Sequence, residues 1–487
     1  MLIVSRLLAK CIDLVTLFVL GRLLSPADFG LVAIAMSIIV TVEAVLELPV
    51  GQALVRLSAL DAPHYNTAFT LTVLRGLALA LLLVAVSWPL AQLYGDQRLV
   101  MLICALSIAP AARGLSSVRI VEYAKRLDFR PTLICDVVGK SAAFVISVAL
   151  AWKTGSYWSI AAGTIATPVV GDITSYIIAP YRPRFTLRAW RDFADFLGWS
   201  TASQFVTALN WQMDQLLLGR FVSQLELGHF SMAANIAALP TQVIVVQTMN
   251  PLLVAFSLVR DHHQRLVAAY RNSAAAIVGI GLPIMVGMSL VAEPVIRIVL
   301  GDHWIEAAPV LSLLALASIP SFFVAPLSSL SIALNQTRIF LRLAIVEFVV
   351  KFPLMLYGSA HYGVTGVIAA RTAVAIVMAV CSMLAVRALI QMPLHAQLFG
   401  HWRPILGCAV MAVIVAPLQL QFAGTQSFSA MAAALAGIAA VGACTYASTV
   451  ILLWMLAGRP DGLEAKLFAL TQRFRRKLRK APVNEAI

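Results

Sequence analysis

The sequence predicts an all-α integral membrane protein of about fourteen transmembrane helices. Three observations predict it. Of its 487 residues, 61% are hydrophobic and only 12% charged, with a mean hydropathy of +0.89. A soluble domain carries about twice that charge, and one water-soluble core cannot hide so much apolar surface. The apolar runs are continuous rather than alternating, which excludes a membrane β-barrel. Lysine and arginine alternate between successive connectors, as they do when a polytopic chain is divided correctly.

A span needs roughly 20 mostly apolar residues. In chain order the qualifying segments cover 3–24, 29–48, 67–93, 99–118, 131–151, 157–180, 196–218, 229–256, 273–292, 309–334, 340–358, 363–388, 404–421 and 428–456. The first carries Arg6, Lys10 and Asp13 and lacks an A-x-A-like end, so it reads as a membrane helix rather than a cleaved signal. Short turn-rich connectors such as SPADFG and YGDQR separate the spans. Even-numbered connectors and the C-terminal tail hold about 24 basic residues, and odd-numbered ones about five. Both termini are therefore expected in the cytoplasm. The net charge of +14 follows from this bias and needs no nucleic-acid partner.

The chain repeats itself. Leu20, Gly21, Arg22, Ser25, Gly30, Ala35 and Ile38 recur as Leu218, Gly219, Arg220, Ser223, Gly228, Ala233 and Ile236, always 198 positions on. The copies begin near the ends of the first and seventh spans, an even number apart, so both cross the membrane in one direction. The pattern predicts two parallel six-helix lobes related by a pseudo-twofold along the membrane normal. "ICDVVGK" and "IVEFVVK" pair spans five and eleven, and Ser-Ile followed by proline pairs four and ten. The expected division is an N-lobe over 1–185, a C-lobe over 186–395, an extra helical hairpin over 396–457 and a basic tail over 458–487. In that tail Leu463, Leu467, Leu470, Phe474 and Leu478 fall on one helical face amid lysine and arginine, suiting an anionic inner leaflet. The repeated glycines are expected to shape tight helical hairpins.

Ionisable groups inside a span cost several kcal/mol if they face lipid, so they turn towards protein or a watery cavity. Arg6, Lys10 and Asp13 share one face of the first helix. Ser200, Ser203, Thr207, Asn210 and Asp214 form a stripe on the seventh, and Glu43 stacks on Glu47 in the second. These faces are expected to line a hydrated cavity between the lobes. The i,i+4 pairs Asp136–Lys140 and Glu347–Lys351 can neutralise themselves in place, which competes with contact to substrate. Arg75, Arg113 and Arg371 have no acid one turn away and need a distant partner or an anionic ligand. Candidate binding residues are therefore Arg6, Lys10, Arg75, Arg113, Lys140, Lys351, Arg371 and Asn210. Candidates for H⁺ or Na⁺ coupling are Asp13, Glu43, Glu47 and Asp214.

No catalytic or cofactor motif stands out: there is no G-x-x-x-x-G-K-[ST], H-E-x-x-H or G-x-S-x-G. The six cysteines lie in apolar segments without a C-x-x-C pair, so neither disulfide nor metal site is expected.

"RLLSPADFGLVAIA" resembles the opening hairpin of bacterial polysaccharide-export flippases, the Wzx-type branch of the multidrug/oligosaccharidyl-lipid/polysaccharide exporter superfamily. "NWQMDQLLLGRFVSQLELGHFSMA" is similar to the start of that family's second lobe, through Asn210, Asp214, Gly219, Arg220 and Gly228. "LVAEPVIRIVLGDHWIEAAPVLSLLA" also matches at Gly301, Trp304 and Pro309. The resemblance covers most of 15–390. It implies a V of two lobes that moves an undecaprenyl-diphosphate-linked oligosaccharide across the bacterial inner membrane by alternating access. Cavity arginines would then pair with the diphosphate. It also implies membrane lipids, a polysaccharide polymerase and a chain-length regulator as partners. Alternatives are a small-molecule drug exporter of the same superfamily, a peptidoglycan-precursor flippase, or a membrane polysaccharide polymerase or ligase. That last class needs a large catalytic periplasmic loop, and no odd connector exceeds about twenty residues.

Overall fold

A computed structural model describes residues 2–46, 48, 50–56, 61–126, 128–336, 338–422 and 428–458; at 2–8, 52, 55–56, 191–205 and 419–422 it describes the backbone alone. The described residues are overwhelmingly helical, and nine of their helices are long and apolar enough to cross a membrane. Large apolar side chains cover the outside, with Leu81 71% and Leu258 79% exposed, a surface suited to hydrocarbon rather than water. The chain divides into two compact units. Unit 1 holds 1–232, 299–304 and 348–367, and unit 2 the remainder.

Unit 1 opens with helices α1 (Leu2–Leu23) and α2 (Pro26–Val45). Ser25 starts α2 with a reciprocal cap: its hydroxyl accepts the Asp28 N–H, and the Asp28 carboxylate accepts the Ser25 N–H, both at 3.2 Å. The short α3 (Val50–Arg56) and the long α4 (Ala62–Tyr94) follow. The expected fourth span is broken into α5 (Arg98–Leu106) and α6 (Ile108–Arg113), because Pro110 has no N–H to continue the ladder. Then come α7 (Ile120–Lys125), α8 (Arg130–Thr154), α9 (Trp158–Ile178), α10 (Arg191–Phe221) and α11 (Gln224–Thr241). The second copy of the repeat rebuilds the cap: Ser223 Oγ accepts the Glu226 N–H at 3.2 Å, and Glu226 returns the bond at 3.1 Å. The serine and acid that recur are thus a duplicated capping box, which satisfies the orphan amides of each helix start.

The recurring glycines have a different role from the one expected. None of Gly21, Gly30, Gly219 or Gly228 has a positive φ, so they do not make the turns. They let the two copies touch. A Cβ on Gly30 would lie 1.9 Å from Gln224 O, and one on Gly228 would lie 1.8 Å from Pro26 O. Pro26 and Gln224 are themselves repeat partners, so the contact is reciprocal. The same holds one layer away, where Gly21 meets Met232 and Gly219 meets Ile34. Removing the side chain lets helix backbones approach closely.

In unit 2 a π-helical turn (Gln242–Val246) leads into α12 (Gln247–Val259), followed by α13 (His263–Leu290) and α14 (Ala292–Val299). The expected tenth span is broken, like the fourth, into α15 (Ala307–Ala317), α16 (Ile319–Val324) and α17 (Leu327–Ala333) at Ser318, Pro320 and Pro326. A buried cluster of Phe256, Tyr270, Leu330 and Val386 joins these helices to the end of α18, which runs Arg338–Ile390. The last elements are α19 (Leu394–Phe399), α20 (Trp402–Phe422) and α21 (Phe428–Leu456).

The helix α18 is two helices joined at Gly363, whose φ of 56° and ψ of −133° are not helical. That conformation favours glycine, and Gly358 and Gly366 pack backbone to backbone across the turn. A Gly363→Ala variant is expected to lose about 1–3 kcal/mol, read as a lower midpoint of thermal unfolding in detergent; an unchanged midpoint would refute the strain.

Candidate functional site

Three cations inside the apolar helices of unit 1 find acids on other helices. Lys351, on α18, reaches Asp214 on α10 at 2.7 Å, with side-chain exposures of only 9% and 8%. It also donates to the Asn210 carbonyl at 2.5 Å. Asn210 and Asp214 are one turn apart, so the backbone oxygen and the carboxylate lie on one face of α10 and cradle the ammonium together. Lys140, on α8, reaches Asp13 on α1 at 2.6 Å. This second pair is more open, at 25% and 41% exposure. α1 and α10 carry the two copies of the repeat, and Lys140 and Lys351 end its matched heptapeptides. Each half thus ties its matched lysine to its opening helix, although Asp13 and Asp214 are 201 positions apart and fall three residues out of register with the repeat.

These bonds revise the intrahelical expectation for Asp136–Lys140 and Glu347–Lys351. At i,i+4 each acid is within reach, yet both ammonium groups cross to another helix. Arg113 likewise finds a distant acid, pairing with Glu43 at 2.6 Å from α6 to α2. Arg75 Nε donates at 2.6 Å to the carbonyl of Leu46, at the end of α2 where carbonyls lack intrahelical donors and the helix dipole favours a cation.

Lys10 is exposed one turn before Asp13 on α1. Arg371 is partly buried in unit 2, whereas the other described candidates belong to unit 1. Glu47 and the side chains of Arg6, Ser200 and Ser203 lie outside the described residues. Asp172 on α9 received no role from its sequence setting, yet its Oδ2 is buried without a hydrogen-bond partner.

A cluster at the repeat hairpins was also missed. Arg98 bonds Asp96 and Gln224 at 2.8 and 2.7 Å, and Gln224 bonds Asp96 in turn. Nearby, Tyr94 OH donates to Leu216 O at 3.0 Å. At the other copy, Trp304 Nε1 donates to Gly21 O at 2.6 Å. The signal was available: YGD and LGD recur, and both Gly95 and Gly301 have positive φ, at 72° and 99°. Burial pushes the Asp96 carboxyl up, but hydrogen bonds from the Arg98 side chain and backbone and from Gln224 outweigh it and hold the group below its ordinary 3.8. The lowered value places this stabilisation above pH 3.8, to be lost as pH falls through the folded value. The melting difference between wild type and Asp96→Asn should accordingly shrink below about pH 4; a difference constant from pH 7 to pH 3 would contradict it.

Reciprocal hairpins, proline-broken spans and ion pairs set within apolar helices define a multi-pass helical membrane protein. The chain belongs to the polysaccharide biosynthesis protein family, whose model matches residues 19–309. It is 27% identical over 305 residues to the succinoglycan biosynthesis transport protein ExoT of Rhizobium meliloti (strain 1021); the match spans 62% of each chain, less than two thirds of that relative. It is 21% identical over 364 residues to the lipopolysaccharide biosynthesis protein WzxC of Escherichia coli (strain K12), covering 73% of each. Its fold is that of the lipid II flippase MurJ in an inward closed conformation, with a TM-score of 0.74 at 15% identity over 94% of this chain and 99% of that one.

Proposed function

We propose that the chain is a flippase that carries undecaprenyl-diphosphate-linked oligosaccharide units across the bacterial inner membrane for export of a surface polysaccharide. The observation that carries this reading is the pair of lysine–aspartate bridges, Lys140–Asp13 and Lys351–Asp214, set inside helices that otherwise face hydrocarbon. An isolated charge is costly there, so two repeat-matched lysines, each bridged to the helix that opens its half, argue for a ligand that needs them. The names of the relatives ExoT and WzxC, a transport protein and a lipopolysaccharide biosynthesis protein, support the substrate class.

The proposed topology is fourteen spans: two parallel lobes over 1–185 and 186–395, a hairpin over 396–457, and a basic tail over 458–487. Both termini are cytoplasmic. The lobes rock about the reciprocal hairpins and expose a hydrated cavity alternately to each side. The diphosphate pairs with Arg75, Arg113, Arg371 and the bridge lysines, while the lipid tail stays in the bilayer. Protonation or Na⁺ binding at Asp13, Glu43 or Asp214 weakens a bridge and frees its cation for the substrate. No cofactor takes part and no covalent chemistry is done. A polymerase and a chain-length regulator act on the delivered units.

Deleting the gene tests this. Lipid-linked repeat units should accumulate on the cytoplasmic leaflet and the surface polysaccharide should disappear; normal export, or units already on the outer leaflet, would reject the reading. Arg371→Ala should abolish transport while folded protein still reaches the membrane, and wild-type transport by that variant would remove Arg371 from the mechanism.

A further inference from the structure

The two units treat one junction differently. In each, the first long helix after a repeated hairpin begins beside the point where the last span of that half ends: α4 beside the end of α9 in unit 1, and α13 beside the end of α18 in unit 2. In unit 1 the chain leaving α9 folds onto α4. Tyr181 OH donates to Asn66 Oδ1 at 2.5 Å, and the N–H groups of Thr186 and Ala189 donate to Thr70 and Thr67 at 3.0 and 3.2 Å. Phe69 packs against Tyr181 and Phe185. The junction is filled by the chain itself.

In unit 2 the chain leaving α18 turns through Gln391, at φ 53°, into α19. It returns to α13 through apolar packing, with Met392 and Ala396 in one cluster with Leu266 and Tyr270. The equivalent junction is left as a groove of about 370 Å³. Its floor is apolar, from Val267, Ala268 and Met392, and its rim is polar, from His263, Arg271 and Gln391. Arg265 and Arg387 are exposed on the same two helix ends, and the neighbouring Asp261 is engaged by Arg260 at 3.6 Å.

We propose that this groove holds one anionic phospholipid of the inner leaflet, its phosphate on the Arg271–His263 rim and its glycerol and first acyl carbons on the floor. The proposal rests on the topology above, which puts connectors eight and twelve in the cytoplasm. An apolar floor under a cationic rim matches an amphiphile with an anionic head, and a guanidinium takes two phosphate oxygens at once. The cytoplasmic leaflet supplies such heads, and basic residues at its surface are drawn to them. The chain's own tail is no rival, because its dense basic charge has the same sign as the rim.

The test uses purified full-length protein, with bound lipid counted by native mass spectrometry against added phosphatidylglycerol or phosphatidylcholine. Wild type should retain one more phosphatidylglycerol than the double variant His263→Gln/Arg271→Gln, whose affinity for that site should fall about tenfold, the loss of one charge-assisted phosphate contact. Ala268→Phe, which fills the groove and leaves the rim charges, should lose the same molecule. Equal retention by wild type and both variants, or no preference of wild type for phosphatidylglycerol, overturns the proposal. So does displacement of that lipid by undecaprenyl diphosphate at far lower concentration, which would give the groove to the substrate. Sidedness is read separately, with Gln391→Cys in a background without native cysteines. A membrane-impermeant maleimide should modify it only after permeabilisation. Labelling in intact cells would reject the topology, and with it the inner-leaflet source, while the binding data still report on the groove.

Discussion

A Lys351→Met variant should lose about 3–5 kcal/mol of stability and all transport. The ammonium it removes is 2.7 Å from Asp214 and 2.5 Å from the Asn210 carbonyl, with both side chains less than a tenth exposed. Without it a carboxylate stays buried among apolar helices, and that uncompensated charge sets the size of the loss. Asp214→Asn should cost less, since the neutral amide still accepts a hydrogen bond from Lys351. The double variant Lys351→Met/Asp214→Leu separates structure from function. Replacing both charges by apolar groups of similar volume is often neutral, so its thermal midpoint should return towards wild type while transport stays absent. Lys140→Met is the control by exposure. Its pair is 25% and 41% exposed, solvent already screens it, and about 1 kcal/mol is expected. A Lys351→Met protein as stable as wild type would show that the bridge is incidental.

The second large effect is expected at the reciprocal glycines. Gly30→Ala and Gly228→Ala each place a methyl group where a carbonyl oxygen of the other copy stands, at 1.9 and 1.8 Å. Backbone cannot rotate out of the way as a side chain can, so one helix must shift bodily. Overpacking usually costs about 1–3 kcal/mol and sometimes more, and here the upper end applies. Because the contacts are related by the repeat, the two variants should have like effects, and the pair together should fail to accumulate in the membrane. Gly51→Ala, with nothing within 4 Å of the added atom, should behave as wild type. Thermal unfolding of the purified variants measures the difference; matching midpoints for Gly30→Ala and Gly51→Ala would mean that the two copies do not meet as described.

Much of the fold was legible in the sequence because hydrocarbon imposes its pattern on every span. Continuous apolar runs placed the helices, but the spans over 99–118 and 309–334 were expected whole. The prolines after Ser107 and Ser318, read only as a mark of the repeat, turn out to sit where α5 parts from α6 and α15 from α16. The pairing of charges was harder to read. Spacing along one helix points to i,i+4 partners, yet Lys140 and Lys351 bond to Asp13 and Asp214 from 127 and 137 positions away, a choice made by helix packing. The glycines were misread for the same reason. A glycine near a helix end suggests a turn, and only the neighbouring helix reveals that Gly30 and Gly228 are needed for close approach. Arg113 and Arg75 were marked as needing a distant partner or an anionic ligand, and the partners the fold gives them, Glu43 and the Leu46 carbonyl, could not be named from spacing. Asp96, Arg98 and Gln224 escaped notice because their connectors looked like ordinary turns.

The central claim is that the buried charges of the repeated helices carry an anionic lipid-linked head across the membrane. It is tested most directly in proteoliposomes loaded with a fluorescent undecaprenyl-diphosphate oligosaccharide, by following how fast inner-leaflet label becomes open to an impermeant quencher. Wild type should expose it steadily, and the stably folded Lys351→Met/Asp214→Leu protein should leave it protected as empty liposomes do. Exposure at the wild-type rate by that double variant would contradict the account.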